Sequence, residues 1–195
     1  MSNISTFRII DWKKLEKKNQ TKINLKNIKK ESLICNLPNR ILIKYLNGIE
    51  KNNGRVIICH KKNDIIGLLV FEKNPNNSIK FFKENMIKIF VSLLFKINLQ
   101  SKIIILRYSF NFFFIKKINL ENQIILIAVE KKNRNLGVGS MLIKCLQKKI
   151  YKKIYVSSDL TNNKAHNFYL KNGFNYFKVM KLGLRKIKVF ECKLS

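Results

Sequence analysis

The sequence predicts a mixed α/β fold, and three observations predict it. Two β-rich runs at 55–60 and 65–71 are separated by a short polar stretch; an apolar run at 124–129 leads through a glycine-containing turn into a helical pattern; and residues 154–192 alternate strand, helix, strand and strand. A length of 195 residues suits one sizeable core, and 46% hydrophobic content is ordinary for a globular chain, so a single domain over 1–195 is expected.

Each element has its own signal. An apolar patch from Phe7 to Ile10 with Trp12 reads as a first strand, and the Lys/Asn-rich stretch behind it as a helix. Pro38 in a first turn, followed by Ile41, Leu42, Tyr45 and Leu46 at helical spacing, predicts a short helix that Gly48 would end. Arg55–His60 and Ile65–Phe71, joined through Lys-Lys-Asn-Asp, predict a hairpin. Residues 76–119 read as an insertion. In it Ile79, Phe82, Met86, Phe90, Leu93 and Ile97 form an apolar stripe at helical spacing, with Lys80, Glu84, Lys88 and Lys96 roughly opposite, and an aromatic run ends in Phe112, Phe113 and Phe114. Such a segment suits the core, a membrane surface, or a cover over a bound molecule. Beyond it come a buried strand at 124–129, a helix Ser140–Ile150, a strand Ile154–Ser157, a helix Asn163–Asn172 closed by Gly173, and strands at 174–180 and 186–192.

Composition narrows the function classes. The formal charge of +29 comes from 40 basic against 11 acidic side chains, a balance that points to nucleic acid or anionic lipid. Only six of those 40 are Arg, in a chain crowded with Lys, Asn and Ile, so the charge reads as spread over the surface, and no specific nucleic-acid partner is expected. Cys35, Cys59, Cys145 and Cys192 are scattered without a C-x-x-C pair, and His60 and His166 have no ligand partner at helical spacing. No metal is expected, and a reducing, cytoplasmic setting fits. Met1–Asp11 lacks the pattern of a secretion signal, and no uncharged apolar run approaches the roughly 20 residues of a spanning helix.

Two strings carry chemistry. In Arg134-Asn135-Leu136-Gly137-Val138-Gly139-Ser140, two glycines at alternate positions let the chain turn tightly and present successive backbone amides, while the following helix adds its N-terminal dipole. A pyrophosphate suits such a nest. No Gly-Lys-Ser/Thr follows, which excludes the nucleotide P-loop, and the third glycine of the dinucleotide fingerprint is missing. The second string runs from Asn162 through Ala165, Phe168 and Tyr169 to Gly173 and Phe174, with Asn162, Ala165 and Tyr169 on one helix face.

Together the strings resemble the GNAT N-acetyltransferase superfamily in order, spacing and context. The phosphate loop of that family reads Arg/Gln-x-x-Gly-x-Gly/Ala, matched by Arg134, Gly137 and Gly139; its later string reads Asn-x-x-Ala-x-x-Phe/Leu-Tyr-x-x-x-Gly-Phe, matched from Asn162 to Phe174. The resemblance covers about residues 120–182. It implies a GNAT-type fold, with a mostly antiparallel sheet, a splayed central strand pair and helices on both faces. It also implies acetyl-CoA as co-substrate and an amine as acceptor.

Residue by residue, the resemblance assigns Ile127, Ala128 and Val129 to backbone bonds with the pantetheine arm and the amides of Arg134, Asn135, Leu136, Gly137, Val138, Gly139 and Ser140 to the pyrophosphate. Asn162 would contact the pantetheine, Ala165 would leave it room, and Tyr169 would face the thioester sulfur and protonate the departing thiolate. Family members often place a base, a Glu, on the strand before the loop, where this chain has Gln123; Glu121 is the substitute if the strand extends that far. Lys131 stands where a proline is common. The insertion leans the acceptor toward a small amine or amino sugar. The competing class is a basic module for nucleic acid or membrane on a non-catalytic acyl-CoA fold; a homodimer and a peripheral membrane contact through 76–119 are compatible with the sequence.

Overall fold

The computed structural model describes residues 7–15, 34, 37–61, 64–94, 115, 117–150 and 153–193. Its strands are β1 (Arg8–Asp11), β2 (Arg55–Lys61), β3 (Asp64–Glu72), β4 (Gln123–Val129), β5 (Ile154–Asp159), β6 (Asn175–Leu182) and β7 (Arg185–Cys192). Its α-helices are α1 (Asn39–Lys51), α2 (Asn76–Leu94), α3 (Val138–Gln147) and α4 (Asn163–Lys171). The strands form one sheet in the order β1-β2-β3-β4-β5-β7-β6. Contacts divide the chain into two compact units, Met1–Phe71 with Leu126–Ile150, and Glu72–Ile125 with Tyr151–Ser195.

In the first unit, β1 pairs antiparallel with β2 from Arg8↔His60 to Asp11↔Ile57, and β2 with β3 from Arg55↔Phe71 to Lys61↔Asp64. The expected hairpin is therefore present, with its tip at 62–63 outside the described residues. Apart from exposed Asp64, β3 is buried along its length, as a central strand covered on both faces must be. The first strand is present too and runs into a 3₁₀ turn at Trp12–Lys14, where the buried Trp12 donates from Nε1 to Asn47 Oδ1 at 2.6 Å. The helix expected after it falls at 16–33, outside the described residues. Helix α1 buries Leu42, Tyr45, Leu46 and Ile49 and does not end at Gly48. Burial of Ile49 at 2% exposure carries the helix past the glycine, and Asn52 Nδ2 caps the Gly48 carbonyl at 2.9 Å.

Helix α3 starts at Val138, earlier than the Ser140 expected, because Met141 N–H already donates to the Gly137 carbonyl at 2.9 Å. It also ends sooner than Ile150. The chain tightens there, with Lys149 N–H bonding the Leu146 carbonyl, and Lys149 Nζ reaches the Asp11 carboxylate at 2.5 Å. Val138, Leu142, Ile143 and Leu146 are its buried face. It packs closely because β3 carries Gly67: a Cβ there would stand 2.9 Å from Val138 Cγ1 and 3.2 Å from Leu142 Cδ1.

In the second unit, β5 and β6 both pair antiparallel with β7. β4 pairs parallel with β5 at Gln123↔Tyr155 and Ile124↔Val156. Leu120, Ile187 and Val189 form a core with Ile118, Tyr155, Met180 and Leu182 against it. The ends of the expected insertion are tied together: Asn76 Nδ2 donates to the Ile118 carbonyl at 3.0 Å, Ile118 N–H donates back to Asn76 Oδ1 at 2.9 Å, and Lys83 Nζ donates to the Ile115 carbonyl at 2.9 Å. On α2, Ile79 and Phe82 are buried and Met86 half-buried, with Lys80, Glu84 and Lys88 exposed, as the stripe predicts. Ser78, Asn85 and Ile89 are buried as well, whereas Ile87 and Val91 face outward. Phe90, Leu93, Lys96, Ile97 and the run at 112–114 lie outside the described side chains.

Candidate active site

The loop between β4 and α3 is shaped by two residues that the sequence reading did not single out. Glu130 is buried, donates its N–H to the Ile66 carbonyl at 2.9 Å, accepts from buried Asn133 Nδ2, and pairs with Lys132 at 3.0 Å. Asn133 N–H bonds back to the Glu130 carbonyl, closing a tight turn. Such a polar pair carries no motif spacing; only its burial reveals it. Past this turn the chain enters left-handed backbone at Asn135 (φ 64°) and again at Gly137 (φ 78°), which is the N-cap of α3.

The loop presents a bare helix start. Gly137 offers no capping side chain, no acidic residue lies in the first turn, and nothing lies within 4 Å of where a Gly137 Cβ would stand. By helix geometry the amides of Val138, Gly139 and Ser140 have no carbonyl one turn back to bond, so they remain available as donors at the positive end of the dipole. Arg134, Asn135, Leu136 and Gly137 are exposed, as are Lys131 and Lys132. The one carboxylate of the turn, Glu130, is neutralised by its partners, so the loop fits an anion such as a diphosphate. On β4, Ala128 is buried while Ile127 and Val129 are half-buried. The Val129 carbonyl accepts from Arg134 Nε at 3.2 Å, so one of the backbone groups assigned to the pantetheine already has a partner with a second lone pair left over.

Helix α4, in the second unit, orders the later string. Asn162 is its N-cap, with Oδ1 accepting from Ala165 N–H at 3.1 Å, which leaves the side-chain amide to donate elsewhere. Asn162 is exposed and Ala165 half-exposed. Buried His166 fixes the helix to β5 and β7: Nε2 lies 3.0 Å from the Asp159 carbonyl, and the ring packs 5.3 Å from that of Phe190. Asp159 in turn pairs with Arg185. Gly173 closes the helix in left-handed backbone at φ 80°. The half-buried ring of Tyr169 is held by Phe168, Phe174 and Phe190, at 5.6, 6.0 and 5.8 Å between centroids. Burial pushes its phenol up to about 12, so it stays protonated across the physiological range.

Glu121 does not meet the condition set for it. Asn122 has left-handed backbone at φ 54° and β4 begins at Gln123, so the alternation that would place Glu121 on the face of Gln123 is broken. Glu121 is exposed on the rim of a hollow of about 460 Å³ with Asn119, Leu120, Asn122, Lys153 and Tyr155. Among the described residues no group of three or more His, Cys, Asp or Glu side chains could hold a metal, and no helix is long and apolar enough to cross a membrane. Cys59, Cys145 and Cys192 are thiols and form no disulfide with one another.

Residues 103–176 match the family model for the acetyltransferase (GNAT) domain, a stretch that contains both strings. No curated protein matches the chain. Among solved structures, an N-acetyltransferase from Staphylococcus aureus is similar at TM-score 0.57 and 13% identity, over 98% of this chain and 100% of that one. A GNAT-family acetyltransferase from Bacillus cereus is similar at 0.57 and 14% identity, over 97% and 99%. The Salmonella typhimurium protein yncA, solved with its cofactor acetyl-CoA, is similar at 0.58 and 9% identity, over 97% and 94%. At such identities the structures establish the fold, and the acetyltransferase (GNAT) family model matches the part of the chain that carries both strings.

Proposed function

We propose that this protein is an acetyl-CoA-dependent N-acetyltransferase that moves an acetyl group to a primary amine, a small amine or amino sugar in preference to a protein. The observation that carries the reading is the bare start of α3 behind a left-handed Gly137, whose unpaired amides fit a pyrophosphate. When bound, acetyl-CoA supplies the activated acetyl group. The amides of Arg134–Ser140 hold the diphosphate, the backbone of Ile127–Val129 and the Asn162 amide hold the pantetheine, and Ala165 leaves it space. Direct attack by an amine on the thioester needs both held in line. Tyr169 donates a hydrogen bond toward the leaving sulfur. With its phenol near 12 and an ordinary thiol near 8.5, complete transfer of its proton to a thiolate is disfavoured by more than roughly a thousandfold, so its contribution is hydrogen bonding to developing charge.

Saturating acetyl-CoA should raise the melting temperature, and a panel of amines should release free CoA thiol; no thermal shift and no thiol release would remove the reading. One observation favours a second reading. Ile87 and Val91, four residues apart on α2, are 80% and 48% exposed on a chain of charge +29, as an interfacial helix would show. Salt-sensitive sedimentation with anionic vesicles that is lost in Ile87→Ser, without any acetyl transfer, would favour that membrane-binding module. We take the chain to act in the cytoplasm, a reading supported by its scattered cysteines.

A further inference from the structure

The hollow of about 460 Å³ that carries Glu121 on its rim has no task in the scheme above. Its described lining belongs wholly to the second unit: Asn119, Leu120, Glu121 and Asn122 come from the approach to β4, Lys153 and Tyr155 from the start of β5. Both sides are held in place. Ile118 and Asn76 exchange two hydrogen bonds, and Leu120 is buried in the core with Ile187 and Val189. Asn122 N–H donates to the Lys73 carbonyl at 2.8 Å, while the Asn122 carbonyl accepts from Tyr155 N–H at 2.9 Å. The left-handed turn at Asn122 thus fixes Glu121 just outside β4 with its side chain exposed. The volume falls in the range of roughly 300–1,000 Å³ in which small molecules are bound.

The hollow gathers both signs of charge. Glu121 and Lys153 are exposed on its rim, and Glu191 belongs to the same place. Glu191 stands directly opposite Tyr155 in the β5–β7 ladder, so the two side chains share a face, and Lys153 Nζ lies 3.5 Å from its Oε2. That ion pair is longer than a hydrogen bond, and among the described residues the buried Oε2 has no hydrogen-bond partner. A buried acceptor without a donor is costly. On a chain with 11 acidic against 40 basic side chains, two carboxylates at one hollow also run against the composition. A simple anion would meet both carboxylates, and a simple cation would meet Lys153. A molecule that carries both charges close together meets neither objection. Leu120 and the Tyr155 ring, packed 5.4 Å from that of Phe177, supply the apolar wall.

We propose that this hollow is a binding site for a small zwitterion, a free α-amino acid with an apolar side chain. Glu121 and the open oxygen of Glu191 receive its ammonium group. Lys153 receives its carboxylate, with the side-chain amides of Asn119 and Asn122 as further donors. Its side chain lies against Leu120 and Tyr155. None of these residues belongs to the 134–140 loop or to α4, so binding is independent of acetyl transfer and needs no CoA.

The test titrates the 195-residue chain, without CoA and at low salt, with L-leucine and L-phenylalanine, their methyl esters and their N-acetyl forms, read by calorimetry and saturation-transfer NMR. At about pH 6.5 the free α-amino groups are protonated. The expected result is saturable binding of at least one free amino acid with Kd at or below about 1 mM, weakened roughly fivefold or more in its ester and in its N-acetyl form. Glu121→Gln should weaken the free amino acid by a similar factor and leave the N-acetyl form, which has no ammonium to lose, unaffected; Lys153→Met should do the same for the acid and leave the ester unaffected. Both residues are exposed, so the variants should keep the wild-type circular dichroism. Should Lys153→Met not fold, the ligand series on the wild type and on Glu121→Gln decides. No saturable binding up to about 20 mM overturns the proposal. So does an ester or N-acetyl form that binds as tightly as its parent, which makes the hollow a site for an ion of one sign, and so does wild-type affinity in Glu121→Gln, which places the ligand elsewhere.

Discussion

Gly137→Ala separates the ligand-binding role of the loop from its role in the fold. Gly137 sits at φ 78°, where an L-residue pays roughly 1–2 kcal/mol, yet nothing lies within 4 Å of the added methyl, so no clash adds to the strain. For a chain of 195 residues, a loss of about 1 kcal/mol lowers Tm by roughly 2–4 °C. The same methyl occupies open space directly beside the free amides of α3, where a diphosphate would have to come within about 3 Å. At acetyl-CoA one hundred times above Kd, the wild type should gain about 2.7 kcal/mol, or roughly 5–11 °C. If the methyl weakens binding about a hundredfold, the gain at the same concentration falls to about 0.4 kcal/mol, roughly 1–2 °C. Differential scanning fluorimetry with and without acetyl-CoA reads both effects. A variant that melts slightly lower but keeps the full acetyl-CoA shift would refute the assignment of this loop to the pyrophosphate.

Other perturbations probe the remaining links. Tyr169→Phe keeps the ring contacts to Phe168, Phe174 and Phe190, so Tm should move by no more than about 2 °C while steady-state acetyl transfer slows by roughly tenfold to a hundredfold at an unchanged acetyl-CoA shift. Gly67→Val forces a side chain into the space held by Val138 and Leu142, and urea melts should show a loss of about 1–3 kcal/mol together with weaker acetyl-CoA binding, because the start of α3 is what moves. Glu72, buried at the end of β3 with Ser78 donating to it, also sets a pH dependence of stability. Its carboxyl is raised from an ordinary value near 4.5 to about 7, so the fold holds a proton that the unfolded chain releases, and stability should fall by about 3 kcal/mol as pH rises from about 4.5 to about 7. Urea titrations across that range should show a shallower decline for Glu72→Gln; parallel curves would contradict the burial of the carboxyl.

Much of the second half was legible from residue spacing. Gly137 and Gly139 marked the turn, Asn162 with Ala165 marked a capped helix start, and Gly173 its end, because left-handed turns and helix caps admit few residue types and therefore leave a trace at fixed positions. The hairpin was legible for a related reason, since β-rich runs on either side of a polar break have one short-range way to pair. Helix ends were less so: Gly48 looked like a stop and was overruled by the burial of Ile49, and α3 began earlier than its first polar residue suggested. Glu130 with Asn133, and Glu72 with Ser78, left no sequence signal at all. A carboxylate reads the same whether solvated or interred, and what distinguishes these is the strand lying beside them, which is fixed by pairing across some 50 residues of chain. The sequence by itself determined the strand and helix runs and the loop that could cradle an anion, because those depend on neighbours a few positions away. Only the tertiary structure decided that Glu121 lies off the strand and that Glu72 and Glu130 are buried, because burial is a property of distant segments brought together.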